Sequence, residues 1–239
     1  MTPEPGPPGT IESYSYQGQD LFVLEALGGL RGGFFLDSGA SNGVKGSNTK
    51  LLESSFGWTG ICVEPNDDLY EQLRRSRTCV CLNCCLYDRE GEVEFFETAS
   101  VYGGILGEYD PGFLRFVKET VGLDPTKDVV PTARKQAHTV GSILRRYHAP
   151  PIIDYWSLDT EGSELAILRD FPYDEYVVRV LTVEHNYFSD REPIRALLEA
   201  HGYARVWSLG IDDCYVWHGE TPDQAWRSAV WSRGRRGRG

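Results

Sequence analysis

The stretch that decides the fold is FFLDSGASNGVKGSNT, residues 34–49. It begins with an apolar run at 34–36, which is typical of a buried strand, and continues with Asp37, glycines and small polar residues. A helical pattern with Leu51 and Leu52 on one face comes next. A strand, a glycine-rich turn and a helix form the entry to a nucleotide-binding α/β unit, because glycines let the backbone approach a ligand and a helix N-terminus offers unpaired N–H groups. The charge of Asp37 would repel a phosphate and attract an ammonium.

A second acidic residue follows at the end of the next predicted strand. The segment GWTGICVEPN, residues 57–66, is typical of a turn, a strand, an acid and a break. Its acid, Glu64, is placed to accept hydrogen bonds from both hydroxyls of a ribose. Pro65 ends the strand, and Asn66 is a candidate N-cap for the next helix. The pair of Asp37 and Glu64 is more informative than either residue alone.

Several short segments together resemble one protein family. They are QGQD (17–20), DSGASNG (37–43), GSNT (46–49), GWTG (57–60), CVEPN (62–66), SLDTEGSE (157–164) and TVEHN (182–186). Their ordered set resembles the FkbM-type S-adenosylmethionine-dependent methyltransferases, and the resemblance runs from about Gln17 to Tyr215. It implies S-adenosylmethionine as the cofactor and methyl transfer as the activity.

The resemblance, with the position of the strand ends, also indicates which residues contact the cofactor. They are Asp37, Gly39, Ala40, Ser41, Asn42, Gly43, Ser47, Asn48, Thr49, Glu64, Pro65, Asn83 and Asp159. Asn83 follows the third predicted strand, where its side chain could bond the edge of the adenine. A solvated turn residue is an equally good interpretation of Asn83.

Predicted strands and helices alternate along the chain, which indicates an α/β fold. Residues 177–183 form a continuous β-branched run, as in a central parallel strand. The runs at 203–208 and 214–217 are so closely joined that they must be antiparallel. We therefore predict one mixed, mostly parallel sheet. The resemblance implies the same arrangement, a single Rossmann-like (class I) methyltransferase domain with a seven-stranded sheet, an antiparallel terminal hairpin and helices on both faces.

The predicted domain spans residues 13–231. A Pro/Gly-rich disordered tail at 1–12 precedes it, and a basic disordered tail at 232–239 follows it. An insertion at about 100–135 is rich in glycine and aromatic residues, including Tyr102, and is a candidate lid or acceptor pocket. Local core is the alternative interpretation of these aromatic residues.

The amino-acid composition limits which kinds of partner this protein is expected to bind. The 239 residues are 41% hydrophobic and 25% charged, which is ordinary for a soluble globular protein. The net charge of −11 argues against a broad nucleic-acid-binding face. The N-terminus lacks the basic region and apolar core of a secretory signal, and no apolar run approaches the roughly 20 residues that span a membrane. We expect a cytoplasmic protein with a small-molecule acceptor and neither a nucleic-acid nor a membrane partner; the sequence leaves the oligomeric state open.

Four of the six cysteines lie in TCVCLNCCL, residues 78–86. The run is continuous and apolar, so we predict a buried strand, ending at Asn83, in which cysteine packs as a small hydrophobe. A metal site usually places its CxxC pairs on loops with distant partners, so metal or redox chemistry and a disulfide are less favoured. We expect reduced thiols.

Candidates for catalysis follow two neighbouring predicted strands. Asp159 and Glu161 come after the fourth strand, and Glu184, His185 and Asn186 end the fifth. Methylation of a hydroxyl requires that its proton be removed or shielded, and the unperturbed pKa of histidine lies near neutrality. We therefore expect His185 as the base, with Asp159 and Glu161 beside it. A set of oxygen ligands for Mg²⁺, formed by Asp159, Glu184 and Asn186, is an alternative. Hydrogen bonding and loop capping alone is a third interpretation.

The acceptor and the reaction class have several interpretations. The resemblance suggests O-methylation of a hydroxyl on a sugar or natural-product-type molecule, while N-methylation stays open. GASNG, residues 39–43, also matches the G-x-S-x-G turn of serine hydrolases, with Ser41, Asp159 and His185 as a candidate triad. A nicotinamide enzyme is less favoured because Ser41 stands where a glycine should admit the pyrophosphate. A protein that binds the cofactor without turnover is the non-enzymatic alternative.

Overall fold

The computed structural model describes residues 12–97, 101–127, 129–186 and 189–219. The predicted basic tail, and all but the last residue of the predicted N-terminal tail, lie outside these ranges. Within these ranges, no helix is both long enough and apolar enough to cross a membrane.

The described residues form strands and helices that alternate along much of the chain. The strands are β1 (Phe34–Ser38), β2 (Thr59–Val63), β3 (Val80–Leu82), β4 (Cys85–Leu86), β5 (Gly91–Phe96), β6 (Gly104–Ile105), β7 (Thr132–His138), β8 (Ile152–Leu158), β9 (Val177–Glu184), β10 (Tyr203–Leu209) and β11 (Asp212–Trp217). The helices are α1 (Gln19–Ala26), α2 (Lys50–Phe56), α3 (Asp67–Ser76), α4 (Pro111–Thr120), α5 (Val140–Arg146), α6 (Glu164–Asp170) and α7 (Arg191–Ala200).

The main sheet has seven strands in the order β10-β11-β9-β8-β1-β2-β3. Strands β1, β2, β3, β8 and β9 pair in parallel, and β11 is antiparallel to both β9 and β10. The prediction of an α/β fold with a mixed, mostly parallel sheet is confirmed. Strand β1 lies near the centre of the sheet, so the turn that follows it opens at the middle of the carboxyl edge.

Helices pack against both faces of the main sheet. Successive side chains of a strand point to opposite faces, so neighbouring residues of β1 contact different helices. Phe35 of β1 packs in one layer with apolar residues of α1, α2 and α3. Its neighbour Leu36 packs in the other layer with apolar residues of α5, α6 and α7. Both side chains are fully buried. Asn66 accepts a hydrogen bond from the backbone N–H of Leu69, which confirms it as the N-cap of α3.

A second sheet of four strands, in the order β4-β7-β5-β6, departs from the prediction. The prediction of one sheet missed it; within this sheet, β5 lies between β6 and β7. The cysteine run is divided between the sheets, with β3 in one and β4 in the other. The break falls at Asn83, whose side-chain amide donates to the carbonyls of Glu64 and Pro65 and thereby ends β3. All six cysteines are free thiols, as expected.

The predicted insertion at about 100–135 contains β6, α4 and the start of β7. Phe96, Tyr109, Val117 and Val130 form its own small core, so part of its aromatic content is structural. Asp110 caps α4 by accepting from the N–H groups of the first turn. The insertion therefore forms a packed unit beside the carboxyl edge of the main sheet.

Candidate functional site

A cavity of about 270 Å³ opens at the carboxyl edge of the main sheet. Asp37 lies within β1 and Glu64 directly follows β2, while Asp159 follows β8 and Glu184 ends β9; all four line the cavity. Open α/β sheets bind their ligands at this edge. Two parallel pairs of strands thus bring together carboxyl groups that lie far apart in the sequence.

The turn after β1 can be formed only with glycine at position 39. Gly39 has a φ of +83°, and a Cβ atom added to it would lie 1.7 Å from the backbone oxygen of Asp159. The N–H groups of Gly39 and Ala40 both donate to the carbonyl of Val63, each at 3.0 Å. The turn is therefore held against β2 on one side and the end of β8 on the other.

Asp37 is buried and hydrogen-bonded before any ligand is present. Its Oδ2 accepts a bond of 2.5 Å from Oγ1 of Thr49, and Nη2 of Arg77 donates to the same hydroxyl at 2.9 Å. Burial raises the pKa of Asp37 to about 6, against the opposing effects of Arg77 and Thr49. Thr49 does not line the cavity, so its contribution is to hold Asp37.

Arg77 contacts the turn after β1, and the sequence analysis did not identify it as a site residue. Its side chain is fully buried and its Nε forms an ion pair of 2.5 Å with Oε2 of Glu53. Its Nη1 donates to Oγ of Ser47 at 3.2 Å, and its guanidinium lies 5.4 Å from the ring centre of Phe35. A single arginine at the end of a helix belongs to no sequence motif. Only its contacts in the folded protein show that it lies beside the turn.

Glu64 is oriented by two backbone donors. Its Oε2 accepts from the N–H of Ser41 and its Oε1 from the N–H of Asn66, both at 2.8 Å. Burial raises the pKa of Glu64 to about 7, although the two N–H groups oppose this effect. Each carboxylate oxygen keeps a further lone pair, so Glu64 can still accept from a ligand hydroxyl.

The structure divides the predicted cofactor residues into two groups. Those that line the cavity are Asp37, Gly39, Ala40, Ser41, Ser47, Asn48, Glu64, Pro65 and Asp159. Thr49, Asn42, Gly43 and Asn83 do not line it. Asn42 instead accepts from the N–H groups of Val44 and Lys45 at 3.0 Å. Asn83 is exposed between β3 and β4, and its side-chain amide donates to backbone carbonyls.

Asn48 lines the cavity and has a buried acceptor atom. Its Nδ2 donates to Oγ of Ser157 at 2.9 Å. Its Oδ1 is buried and has no hydrogen-bond partner among the described residues. An amide oxygen in this state favours a ligand that carries a donor, such as an ammonium.

Three acidic side chains meet at the end of β8 and β9. One carboxylate oxygen from each of Asp159, Glu161 and Glu184 lies within 4.8 Å of the others. Burial, followed by the charge of Asp212, raises the pKa of Asp159. Burial, followed by the charge of Asp159, raises the pKa values of Glu161 and Glu184. We refer to Asp159, Glu161 and Glu184 as the carboxyl cluster.

His185 lies apart from the carboxyl cluster. It lines a second cavity of about 230 Å³, and its Nε2 is 3.7 Å from Oδ1 of Asp213. Burial lowers the pKa of His185. Ser41 and His185 therefore line different cavities, and the candidate hydrolase triad is not assembled. Asn186 lines neither cavity.

Aromatic residues from outside the motifs complete the cavity. Tyr102 lines it from the insertion, and its ring lies 6.4 Å from that of Phe113 and 6.0 Å from that of Phe116. Tyr109 donates from its hydroxyl to the carbonyl of Tyr102 at 2.6 Å and lines only the second cavity. Tyr16 lines the first cavity from the N-terminal segment. The aromatic content of the insertion was the sequence signal for Tyr102; Tyr16 had none.

Comparison with known proteins identifies a family. Residues 37–205 match the family model described as the Methyltransferase FkbM domain. The match covers the strand ends that form the cavity and the whole insertion. No functionally curated protein matches the chain in sequence.

Solved structures show distant similarity. The N-terminal domain of human METTL16 is 11% identical with a TM-score of 0.43, and the alignment covers 82% of this chain and 66% of that one. A precorrin-6y C5,15-methyltransferase from Geobacter metallireducens GS-15 is 14% identical with a TM-score of 0.40, covering 89% and 92%. A methyltransferase from Pyrococcus furiosus is 13% identical with a TM-score of 0.36, covering 82% and 78%. Similarities at this level carry no argument about activity.

Proposed function

The chain belongs to the FkbM methyltransferase family, and from this premise we propose that it methylates a hydroxyl group of a small sugar or natural-product-type molecule with S-adenosylmethionine. The observation that carries the cofactor assignment is the position of Glu64. Its buried carboxyl lies at the end of β2, lines the cavity and is oriented by two backbone N–H groups. Such an acid is suited to the two hydroxyls of a ribose.

The residues present fit S-adenosylmethionine at its other end as well. The free Oδ1 of Asn48 and the buried carboxyl of Asp37 belong to residues that line the cavity, and both suit the ammonium of its amino-acid part. Lys45 is exposed, and it is the one basic side chain among the described residues that line the cavity. When bound, S-adenosylmethionine supplies a methyl group on a positively charged sulfur.

The carboxyl cluster is the proposed position of the acceptor hydroxyl. Glu161 has a buried Oε2 without a hydrogen-bond partner in the described structure. That oxygen can accept the hydroxyl's hydrogen bond and then its proton. His185 was the expected base, and this role passes to Glu161 because His185 lines the other cavity.

Tyr102 is the proposed contact for the rest of the acceptor. It is half-buried between the cavity and the rings of Phe113 and Phe116. We expect Tyr102→Ala to raise the KM for the acceptor and to leave the affinity for S-adenosylmethionine nearly unchanged. Tyr147→Ala is the control, because Tyr147 is partly exposed and lines neither cavity. Equal loss of both affinities in Tyr102→Ala would make this segment structural.

Calorimetric titration with S-adenosylmethionine tests the cofactor assignment. We expect Asp37→Ala and Glu64→Ala each to weaken binding by about 1.5–3 kcal/mol, the size of a charge-assisted hydrogen bond. Glu108→Gln is the control, because Glu108 lines only the second cavity. Unchanged affinity in both alanine variants, with the fold intact, would refute the assignment.

Three further measurements separate the rival functions. Formation of S-adenosylhomocysteine with an acceptor distinguishes an enzyme from a protein that only binds the cofactor. A fluorophosphonate probe should not label Ser41, because His185 lies in another cavity. Saturable binding of NADH would instead support the nicotinamide alternative.

A further inference from the structure

The carboxyl cluster has an unusual charge environment. Its three members line the cavity, and none of them forms an ion pair within the described part of the chain. One carboxylate oxygen of each lies within 4.8 Å of the other two. When all three are ionised, they repel one another in a buried place.

The negative charges of other acids near the carboxyl cluster are compensated by hydrogen bonds. Asp37 accepts a hydrogen bond from the hydroxyl of Thr49, which in turn accepts one from Arg77. Glu64 accepts from two backbone N–H groups. Glu164, which begins α6 and lines only the second cavity, accepts from the N–H groups of Thr160 and Gly162 at 2.7 and 3.0 Å. The lack of compensation is therefore a property of the carboxyl cluster and not of every acid in this region.

Glu161 provides an independent indication that a ligand is expected. The residue is 8% exposed, and its Oε2 is buried without a hydrogen-bond partner among the described residues. The loop holds it there, because Glu164 binds the backbone on both sides of it and a Cβ on Gly162 would lie 2.7 Å from the carbonyl of Glu108. A buried carboxylate oxygen costs free energy unless something pairs with it.

We propose that Asp159, Glu161 and Glu184 bind one divalent metal ion of the Mg²⁺ or Mn²⁺ class beside the acceptor hydroxyl. Carboxylate oxygens are the ligands that these hard cations prefer. Oxygens within 4.8 Å of one another can reach a common ion at about 2.0–2.6 Å after small side-chain rotations. The inference rests on the proposed function: the ion would hold the acceptor oxygen and lower its pKa, while Glu161 would bind the ion through one carboxylate oxygen and take the hydroxyl's proton on the other.

An ammonium group on the acceptor is the competing occupant. The balance of charge favours the metal, because a divalent ion and the sulfonium of the cofactor together neutralise three carboxylates. A single ammonium and the sulfonium leave one negative charge buried, and the ammonium must also lose its proton before it can be methylated. The cluster therefore fits a metal ion and an oxygen acceptor better than an amine.

The inference is tested on the whole chain, from which metals have first been removed by chelation. Binding of Mn²⁺ to this protein is then measured by electron paramagnetic resonance. We expect one bound Mn²⁺ per chain that Mg²⁺ displaces. Glu161→Gln should weaken Mn²⁺ binding by roughly tenfold or more, since changes even to partners of metal ligands have effects of this size. Glu184→Gln is a second test should the first variant fold poorly. Glu108→Gln is the control, because Glu108 lies outside the carboxyl cluster and lines only the second cavity.

Binding of S-adenosylmethionine to each metal-free protein is measured in parallel. Retained cofactor binding in Glu161→Gln, together with loss of Mn²⁺, supports the inference. Wild-type protein that binds the cofactor but shows no saturable Mn²⁺ would overturn the metal site and leave the proposed function standing. Equal Mn²⁺ affinity in wild type and both glutamine variants would also overturn it. Loss of cofactor binding by the wild type would instead contradict the proposed function.

Discussion

The backbone N–H of Ser41 donates a hydrogen bond of 2.8 Å to Oε2 of Glu64 and so joins the glycine turn after β1 to the acid that follows β2. The opposite oxygen of Glu64 accepts from Asn66 at the same distance. The carboxyl is thus fixed in orientation before a cofactor enters. Its position couples the two halves of the cofactor site, and its protonation state should control binding.

The affinity for S-adenosylmethionine should rise with pH. Burial raises the pKa of Glu64 to about 7, so the group is mostly protonated at about pH 6 and mostly ionised at about pH 8. If only the carboxylate accepts from both ribose hydroxyls, Kd should fall about tenfold across this range. Calorimetry at several pH values measures it. Glu64→Gln should bind more weakly with a flatter pH profile, and an unchanged profile in that variant would assign the dependence to another group.

The cofactor-free protein should lose stability as pH rises from about 5 to 8. Burial raises the pKa values of Asp37 and Asp212 to about 6 and that of Glu64 to about 7, from 3.8 and 4.5. The folded state therefore holds more protons than the unfolded state in this window, and its stability decreases as those protons are lost. Scanning calorimetry should show a lower Tm at about pH 8 than at about pH 5. Asp212→Asn should reduce the difference, and a Tm that increases with pH would contradict the assignment.

Removal of Arg77 should destabilise the fold strongly. Its side chain is fully buried and paired with Glu53, which is 7% exposed, so Arg77→Ala leaves a buried charge without its partner. Breaking a buried pair in this way costs about 3–5 kcal/mol. Urea denaturation measures the free energy of unfolding. Arg74→Ala is the control on the same helix, because Arg74 pairs with Glu71 in solvent and should have little effect. Similar losses in the two variants would mean that burial of the pair is unimportant.

Substitution of Gly39 should reduce stability and cofactor binding by far more than its positive φ alone explains. Gly39 and Gly57 have φ values of +83° and +69°, but only at Gly39 would a Cβ atom collide with backbone, at 1.7 Å from the oxygen of Asp159. Gly57→Ala should cost about 1–2 kcal/mol, the strain of a left-handed residue. Gly39→Ala should in addition displace the turn and abolish cofactor binding. Denaturation and calorimetric titration of both variants test this, and equal behaviour would show that the turn tolerates a side chain.

Local sequence was sufficient for the parts of the fold that depend on neighbouring residues. The strand, the glycine turn and the acid Glu64 follow each other closely along the chain, and the carboxyl ends of parallel strands must meet at one edge. The α/β fold and the FkbM family are confirmed on this basis. The cap at Asn66 is confirmed for the same reason, since it needs only the residues of one helical turn.

Tertiary structure decided what depends on direction and on distant contacts. Arg77 and Tyr16 reach the site through packing that no local pattern encodes. The second sheet begins after the chain passes Asn83, whose side chain bonds to the residues that follow β2. Glu184 and His185 are adjacent in sequence, yet Glu184 ends β9 and lines both cavities, whereas His185 follows the strand and lines only the second one. The sequence alone identified the acids at the strand ends, and only the fold decided that Glu161, not His185, joins them.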